Sequence, residues 1–60
     1  MNNVFEIVSC SDQRLLELGF VPGSLLTVLK NEWYGVVVEI KNAKIFIRKE
    51  DFQKLTLKGI

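Results

Sequence analysis

An enzyme of this length would have to assemble its chemistry from seven acidic side chains, eight basic ones and a single thiol, with no imidazole at all. Histidine is the side chain that changes charge near neutrality, so its absence removes the usual general base. The same count excludes a Ser-His-Asp or Cys-His nucleophile arrangement. A transition-metal centre within one chain needs imidazole or thiolate donors, and Cys10 is the only thiol. Carboxylates alone could hold a hard cation if they clustered, but Glu50 and Asp51 are adjacent with no further acidic residue near them in sequence. No glycine-rich phosphate loop is present. The expectation is a chain with no catalytic residue, no metal ligand and no cofactor, working by recognition.

Recognition has better candidates. Trp33 and Tyr34 fall in an expected loop, where aromatic side chains can line a groove for extended or proline-rich peptides and are favoured at binding hot spots. The competing role is that one of them covers the open end of a small core; Trp33 is expected to be the more exposed. Arg14 and Glu17 flank a short apolar helical face and are free to touch a partner. Charge is unevenly spread. Residues 1–40 hold two basic and five acidic groups, a balance of −3, and residues 41–60 hold six basic and two acidic groups, a balance of +4. Such halves suit an electrostatically oriented partner or self-complementary surfaces. Lys41, Lys44, Arg48, Lys49, Lys54 and Lys58 make up the basic set. Lys44, Phe46 and Arg48 alternate onto one outer face, a mixture of cations and ring that would fit an RNA- or DNA-binding module. The net charge of +1 falls short of the usual nucleic-acid footprint. Cys10 is expected to be a small, partly buried hydrophobe.

The elements that must carry these residues are set by local pattern. Val4–Ser9 (VFEIVS) reads as a first strand, rich in β-branched and aromatic residues. Ser9, Ser11 and Asp12 break it; Ser9 with Asp12 fits a capping box, with Ser11 an alternative N-cap. A short helix from about Asp12 to Leu18 should bury Leu15 and Leu18, three apart, and leave Arg14 and Glu17 in solvent. Gly19 can end it in a left-handed conformation, with Phe20 folding back as the accompanying apolar contact. Val21-Pro22-Gly23-Ser24 has the chemistry of a type II turn. Leu25–Leu29 begins a second strand that ends at Lys30-Asn31-Glu32. Val36, Val38 and Ile40 should point inward, and so should Ile45 and Ile47 on a returning strand, with Asn42-Ala43 as the hairpin connection. Lys49–Gln53 resembles a single helical turn, with Phe52 plugging the end of the barrel, and Leu55 and Leu57 mark a last short strand.

Sixty residues make one domain, 1–60, near the lower limit for folding without staples. With one cysteine no intrachain disulfide can form, and no apolar run is long enough to span a membrane, so the expected location is the cytoplasm. About five short strands without room for crossover helices predict a mainly β fold: a small antiparallel barrel with one short helix inserted after the first strand. Closure would deal with unpaired strand edges, although a short barrel with edge strands could also pair through them as a homo-oligomer.

The run Arg14-Leu15-Leu16-Glu17-Leu18-Gly19-Phe20-Val21-Pro22-Gly23 resembles the R-L-x-x-L-G-x-x-P-G signature of the FeoA family, small cytoplasmic proteins of ferrous iron uptake. The resemblance continues through Ser24–Leu29, Val36–Ile40, Ile45–Glu50 and Leu55–Leu57, nearly the whole chain. It departs from the family pattern in a shortened opening strand and in Trp33-Tyr34-Gly35 before the third strand, where a proline is common. The resemblance implies an SH3-like barrel. It also implies an accessory role beside the membrane permease FeoB, docking on that permease's cytoplasmic GTP-binding domain without inserting into the membrane. The same fold unit occurs as the C-terminal domain of DtxR-type repressors, and family members are associated with transition-metal binding. The alternative function is a general SH3-like interaction module that takes a peptide or RNA. On either reading the residues expected to meet the partner are Arg14, Glu17, Trp33 and Tyr34.

Overall fold

The alternating apolar runs become strands. The computed structural model describes residues 3–60. Its elements are β1 (Val4–Cys10), α1 (Gln13–Leu18), β2 (Leu25–Asn31), β3 (Gly35–Ile40), β4 (Ala43–Arg48), α2 (Lys49–Phe52) and β5 (Leu55–Gly59). All five strands join one antiparallel sheet in the order β4-β3-β2-β1-β5. This is the expected mainly β, SH3-like arrangement, with the helix inserted after the first strand. The expected closure is not reached: among the described residues β4 and β5 remain the two edges of the sheet. The single turn α2, which joins those edge strands in the chain, packs on β3 and β4, with Phe52 against the core.

The core is built from the inward side chains of the strands together with Leu15 of α1 and Phe20 just beyond it. Ile7, Phe20, Val36 and Val38 are fully buried, joined by Leu15, Leu26, Ile40, Ile47 and Leu55. Ile45 and Leu57 are half-buried around them. Two irregularities interrupt the alternation. The ladder shifts register between Ile7 and Ser9 on β1, and between Val28 and Lys30 on β2. Val8 and Leu29 keep the outward side that alternation from Ile7 and Val28 gives them, and each bulge brings the next residue, Ser9 or Lys30, out beside them.

The helix stop forms as the local chemistry predicts. Gly19 has φ +111°, its N–H donates to the Leu16 carbonyl, and the Phe20 N–H donates to the Leu15 carbonyl. These are the paired bonds of a Schellman stop, which satisfy carbonyls that a helix end would otherwise leave orphaned. The reversal swings Phe20 into the core. Leu18 was expected to share the buried face with Leu15, but Phe20 fills that place and Leu18 is 57% exposed. The turn after it also holds, with the Ser24 N–H donating to the Val21 carbonyl at 3.1 Å and Gly23 at φ +93°.

Two local expectations need correction. The N-cap of α1 is Asp12, whose side chain accepts from the Arg14 N–H at 2.8 Å. Ser9 still belongs to β1, and the Ser11 hydroxyl donates instead to the Lys54 carbonyl. The β3–β4 connection is Lys41-Asn42, one residue earlier than Asn42-Ala43, with Ile40 paired to Ala43. Both turn residues have positive φ, +52° and +66°, as a type I′ hairpin requires. The inward alternation of Val36, Val38 and Ile40 sets the register, and Lys41 accepts the left-handed conformation that results.

Candidate functional site

The β2–β3 connection is tighter than a loop. Glu32 and Gly35 exchange both backbone hydrogen bonds, the Glu32 N–H donating at 2.8 Å and the Gly35 N–H at 3.3 Å. Only Trp33 and Tyr34 lie between them, so the two aromatics form the tip of a hairpin. Trp33 is 85% exposed and Tyr34 51%. Their rings meet edge to face with centroids 5.4 Å apart, and Tyr34 lies 6.1 Å from Phe46 of β4 at a tilt of 35°. Phe46, half-exposed, extends the row onto the outer face of the sheet between Lys44 and Arg48, both exposed. Three adjacent, outward aromatic rings on a short hairpin form an apolar surface whose side chains already have restricted freedom, a favourable property for a hot spot.

Gly35 makes that arrangement possible. A Cβ there would overlap the Phe46 ring and stand 2.8 Å from the Ile47 carbonyl oxygen. The missing side chain lets Phe46 lie across the start of β3, packed on its inner side and open on the other.

A second cluster surrounds Asp12, a buried carboxylate that is 8% exposed. Arg14 Nη2 and Lys54 Nζ each lie 3.1 Å from Asp12 Oδ2. The same cations reach Asp51 Oδ1, Lys54 at 3.5 Å and Arg14 at 3.8 Å. The network ties the start of α1 to α2 and to the residue preceding β5. The hydrogen bond from the Arg14 side chain, followed by those from the Arg14 backbone N–H and Lys54, holds the Asp12 carboxyl well below the usual carboxylate range. Asp12 in turn raises the Arg14 guanidinium and the Lys54 ammonium.

These contacts fix the sign of a pH dependence. A carboxyl whose folded pKa lies below its ordinary value of 3.8 stabilises the folded state above that pH, and the contribution is lost as pH falls toward the folded value. Asp12→Asn keeps a competent N-cap and removes the charge. Urea titrations should therefore find the wild type more stable than Asp12→Asn at neutrality, with the gap closing as the pH falls below 3.8. A gap that persists unchanged in acid would contradict the assignment.

The four residues expected to meet a partner do not form one cluster. Trp33 and Tyr34 share the hairpin tip. Arg14, expected to be free in solvent, is engaged by Asp12 and Asp51, although its side chain is 75% exposed. It lines a polar hollow with Arg48, Glu50, Asp51 and Lys54, and through Arg48 that hollow reaches the end of β4 opposite Gly35. Glu17 stands apart, its carboxylate accepting from Gln13 at 3.5 Å and, among the described residues, from no other group. Phe46 was recognised as an outer-face residue, but its place in the aromatic row comes from the β3–β4 register, which sets β4 beside the hairpin tip.

A transition metal, associated with the family by resemblance, does not fit the donors present. Cys10 is half-buried with its thiol directed at the Asp12 carbonyl, and Asp12 and Asp51 are occupied by cations. Among the described residues no three His, Cys, Asp or Glu side chains converge.

Compared with known families, residues 3–58 match the model of the FeoA domain. No curated protein matches the chain. The matched span takes in the Schellman stop, the Pro-Gly turn, the aromatic hairpin and all five strands except the last residue of β5. The chain belongs to the FeoA family.

Proposed function

We propose that this domain docks on the cytoplasmic GTP-binding domain of a FeoB-type ferrous iron permease and modulates uptake without performing chemistry itself. Membership of the FeoA family supports an accessory role in ferrous iron transport. The observation that carries the docking reading is the outward aromatic row Trp33–Tyr34–Phe46, a surface with recognition chemistry and no catalytic group beside it. Arg48, and Arg14 paired with Asp12 and Asp51, lie on the adjoining polar hollow and extend the same surface with a rim of mixed charge. No helix among the described residues is long and apolar enough to cross a membrane. On this reading the domain meets the permease on its cytoplasmic side, and ferrous iron is the permease's cargo.

The test uses Trp33→Ala. An 85% exposed side chain contributes little to folding, so the thermal midpoint should stay close to wild type. If Trp33 is a hot spot, truncation should weaken binding to the permease's cytoplasmic domain by about thirtyfold, as for a side chain worth about 2 kcal/mol. Unchanged binding, or a large fall in stability, would count against the reading.

A further inference from the structure

The geometry points to a specific mode of contact: the free edge of β4 accepts an extended acidic segment as an added strand, with an acid–any–aromatic–any–acid pattern set against Lys44, Phe46 and Arg48. The proposal deepens the docking reading above, since it assigns the segment to the permease's cytoplasmic region.

The phase of the β3–β4 ladder decides which groups face that edge. The turn at Lys41-Asn42 makes Ile40 and Ala43 a hydrogen-bonded pair. Alternation then makes Val38 with Ile45, and Val36 with Ile47, hydrogen-bonded pairs, while Glu39 with Lys44, Val37 with Phe46 and Gly35 with Arg48 are not. Gly35 agrees with this phase, because its N–H and C=O turn to Glu32 and not to Arg48. The N–H and C=O groups of Lys44 and Phe46 therefore point away from β3, and among the described residues no backbone group accepts from or donates to them. The side chains at these positions also stand on the exposed face. One stretch thus offers unpaired backbone groups together with a cation–aromatic–cation row.

Charge selects the occupant. Two copies paired antiparallel through β4 about Phe46 would bring Lys44 of one copy opposite Arg48 of the other, on both sides of the axis. Pairing β4 with the β5 edge of another copy would set the same cations beside Lys58. Like charges across a strand pair are destabilising, and lysine-lined edges resist self-association. An added strand with carboxylates opposite Lys44 and Arg48 turns both contacts attractive. An aromatic ring at its centre meets Phe46, which Gly35 and Tyr34 hold in place. Backbone hydrogen bonds would supply affinity and the alternate side chains specificity. Because the pattern reads the same in both directions, it holds for either strand orientation.

The probe is a synthetic peptide with a Glu-Thr-Tyr-Thr-Glu core, capped at both ends, titrated into the isotope-labelled full chain. The expected result is slowed hydrogen exchange at the Lys44 and Phe46 amides. The paired variant Lys44→Glu and Arg48→Glu should bind this peptide about tenfold more weakly. It should prefer a Lys-Thr-Tyr-Thr-Lys peptide, and the milder variant Lys44→Gln with Arg48→Gln should fall between. Binding that leaves those two amides exchanging freely would overturn strand addition, as would affinity indifferent to charge reversal. Tighter capture of single-stranded RNA on the same residues would overturn the acidic segment as occupant. If the permease domain binds wild type but the peptide does not protect these amides, the strand mode fails and the docking reading stands. If the peptide behaves as expected and the permease domain does not bind, the assignment to the permease fails.

Discussion

Gly35→Ala is expected to unseat the Phe46 ring and to lower the thermal midpoint by roughly 10–20 °C, the equivalent of about 2–3 kcal/mol in a domain of this size. The cause is local. The new methyl would occupy the space of the ring and press on the Ile47 carbonyl oxygen 2.8 Å away. A flexible side-chain tip could retreat cheaply, but one of these neighbours is a ring packed at a tilt beside Tyr34 and the other is backbone of the paired strand. Phe46→Ala in the same background removes the first clash and leaves the second. The double variant should therefore recover part of the loss, and the double-mutant cycle should show a coupling well above zero. A midpoint within a few degrees of wild type for Gly35→Ala would show that the ring is not held against this glycine. Since the variant also breaks the aromatic row, its weakened partner binding should track the position of the ring, observable in the Phe46 aromatic resonances.

The second large effect lies in the core. Phe20 is fully buried and sits where the helix stop returns the chain over Leu15. Truncation of a buried phenylalanine costs about 3–5 kcal/mol. Natural domains have about 0.05–0.15 kcal/mol of stability per residue, so the whole reserve of this chain is roughly 3–9 kcal/mol. Phe20→Ala should then leave a chain without a cooperative thermal transition, or with one shifted to near ambient temperature. Phe20→Leu, which keeps most of the volume, should retain the transition at lower temperature. A cooperative Phe20→Ala melt close to wild type would mean that Leu18 can swing in to replace the ring, restoring the packing that helical spacing alone would suggest.

That last contrast shows where local reading succeeds. Strand alternation located Val36, Val38, Ile40 and Ile47, and backbone chemistry at Gly19 and across Pro22-Gly23 located the stop and the turn, because those signals are complete within a few residues. Leu18 was misplaced because the Schellman reversal changes which side chain covers the helix face. Helical spacing carries no information on the path of the chain beyond Gly19. The bulges that turn Ser9 and Lys30 outward arise between strands and leave no mark in either strand alone.

The candidate site was half visible for the same reason. Trp33 and Tyr34 stood out as aromatics in a turn region, but the tightness of that turn depends on Glu32 and Gly35 closing on each other. Phe46 joined them only through the register of β3 with β4. Arg14 looked free although its nearest partner, Asp12, lies only two positions away; what spacing does not show is that distant groups close the cluster, Asp51 reaching Arg14 and Lys54 reaching Asp12 across 42 positions of chain. Long-range ion pairs of this kind cannot be read from spacing. They hold Arg14 in the wall of a hollow shared with Arg48.

The aromatic hairpin and the adjoining β4 face are proposed as one docking surface for the permease. The most direct measurement is a chemical-shift titration of the labelled full chain with the permease's cytoplasmic GTP-binding domain. Saturable perturbations are expected, centred on Trp33, Tyr34, Lys44, Phe46 and Arg48 and fading across the sheet toward Thr56 and Lys58. An absence of perturbation, or one centred on Leu18 and Glu17 with the aromatic row silent, would contradict that docking surface.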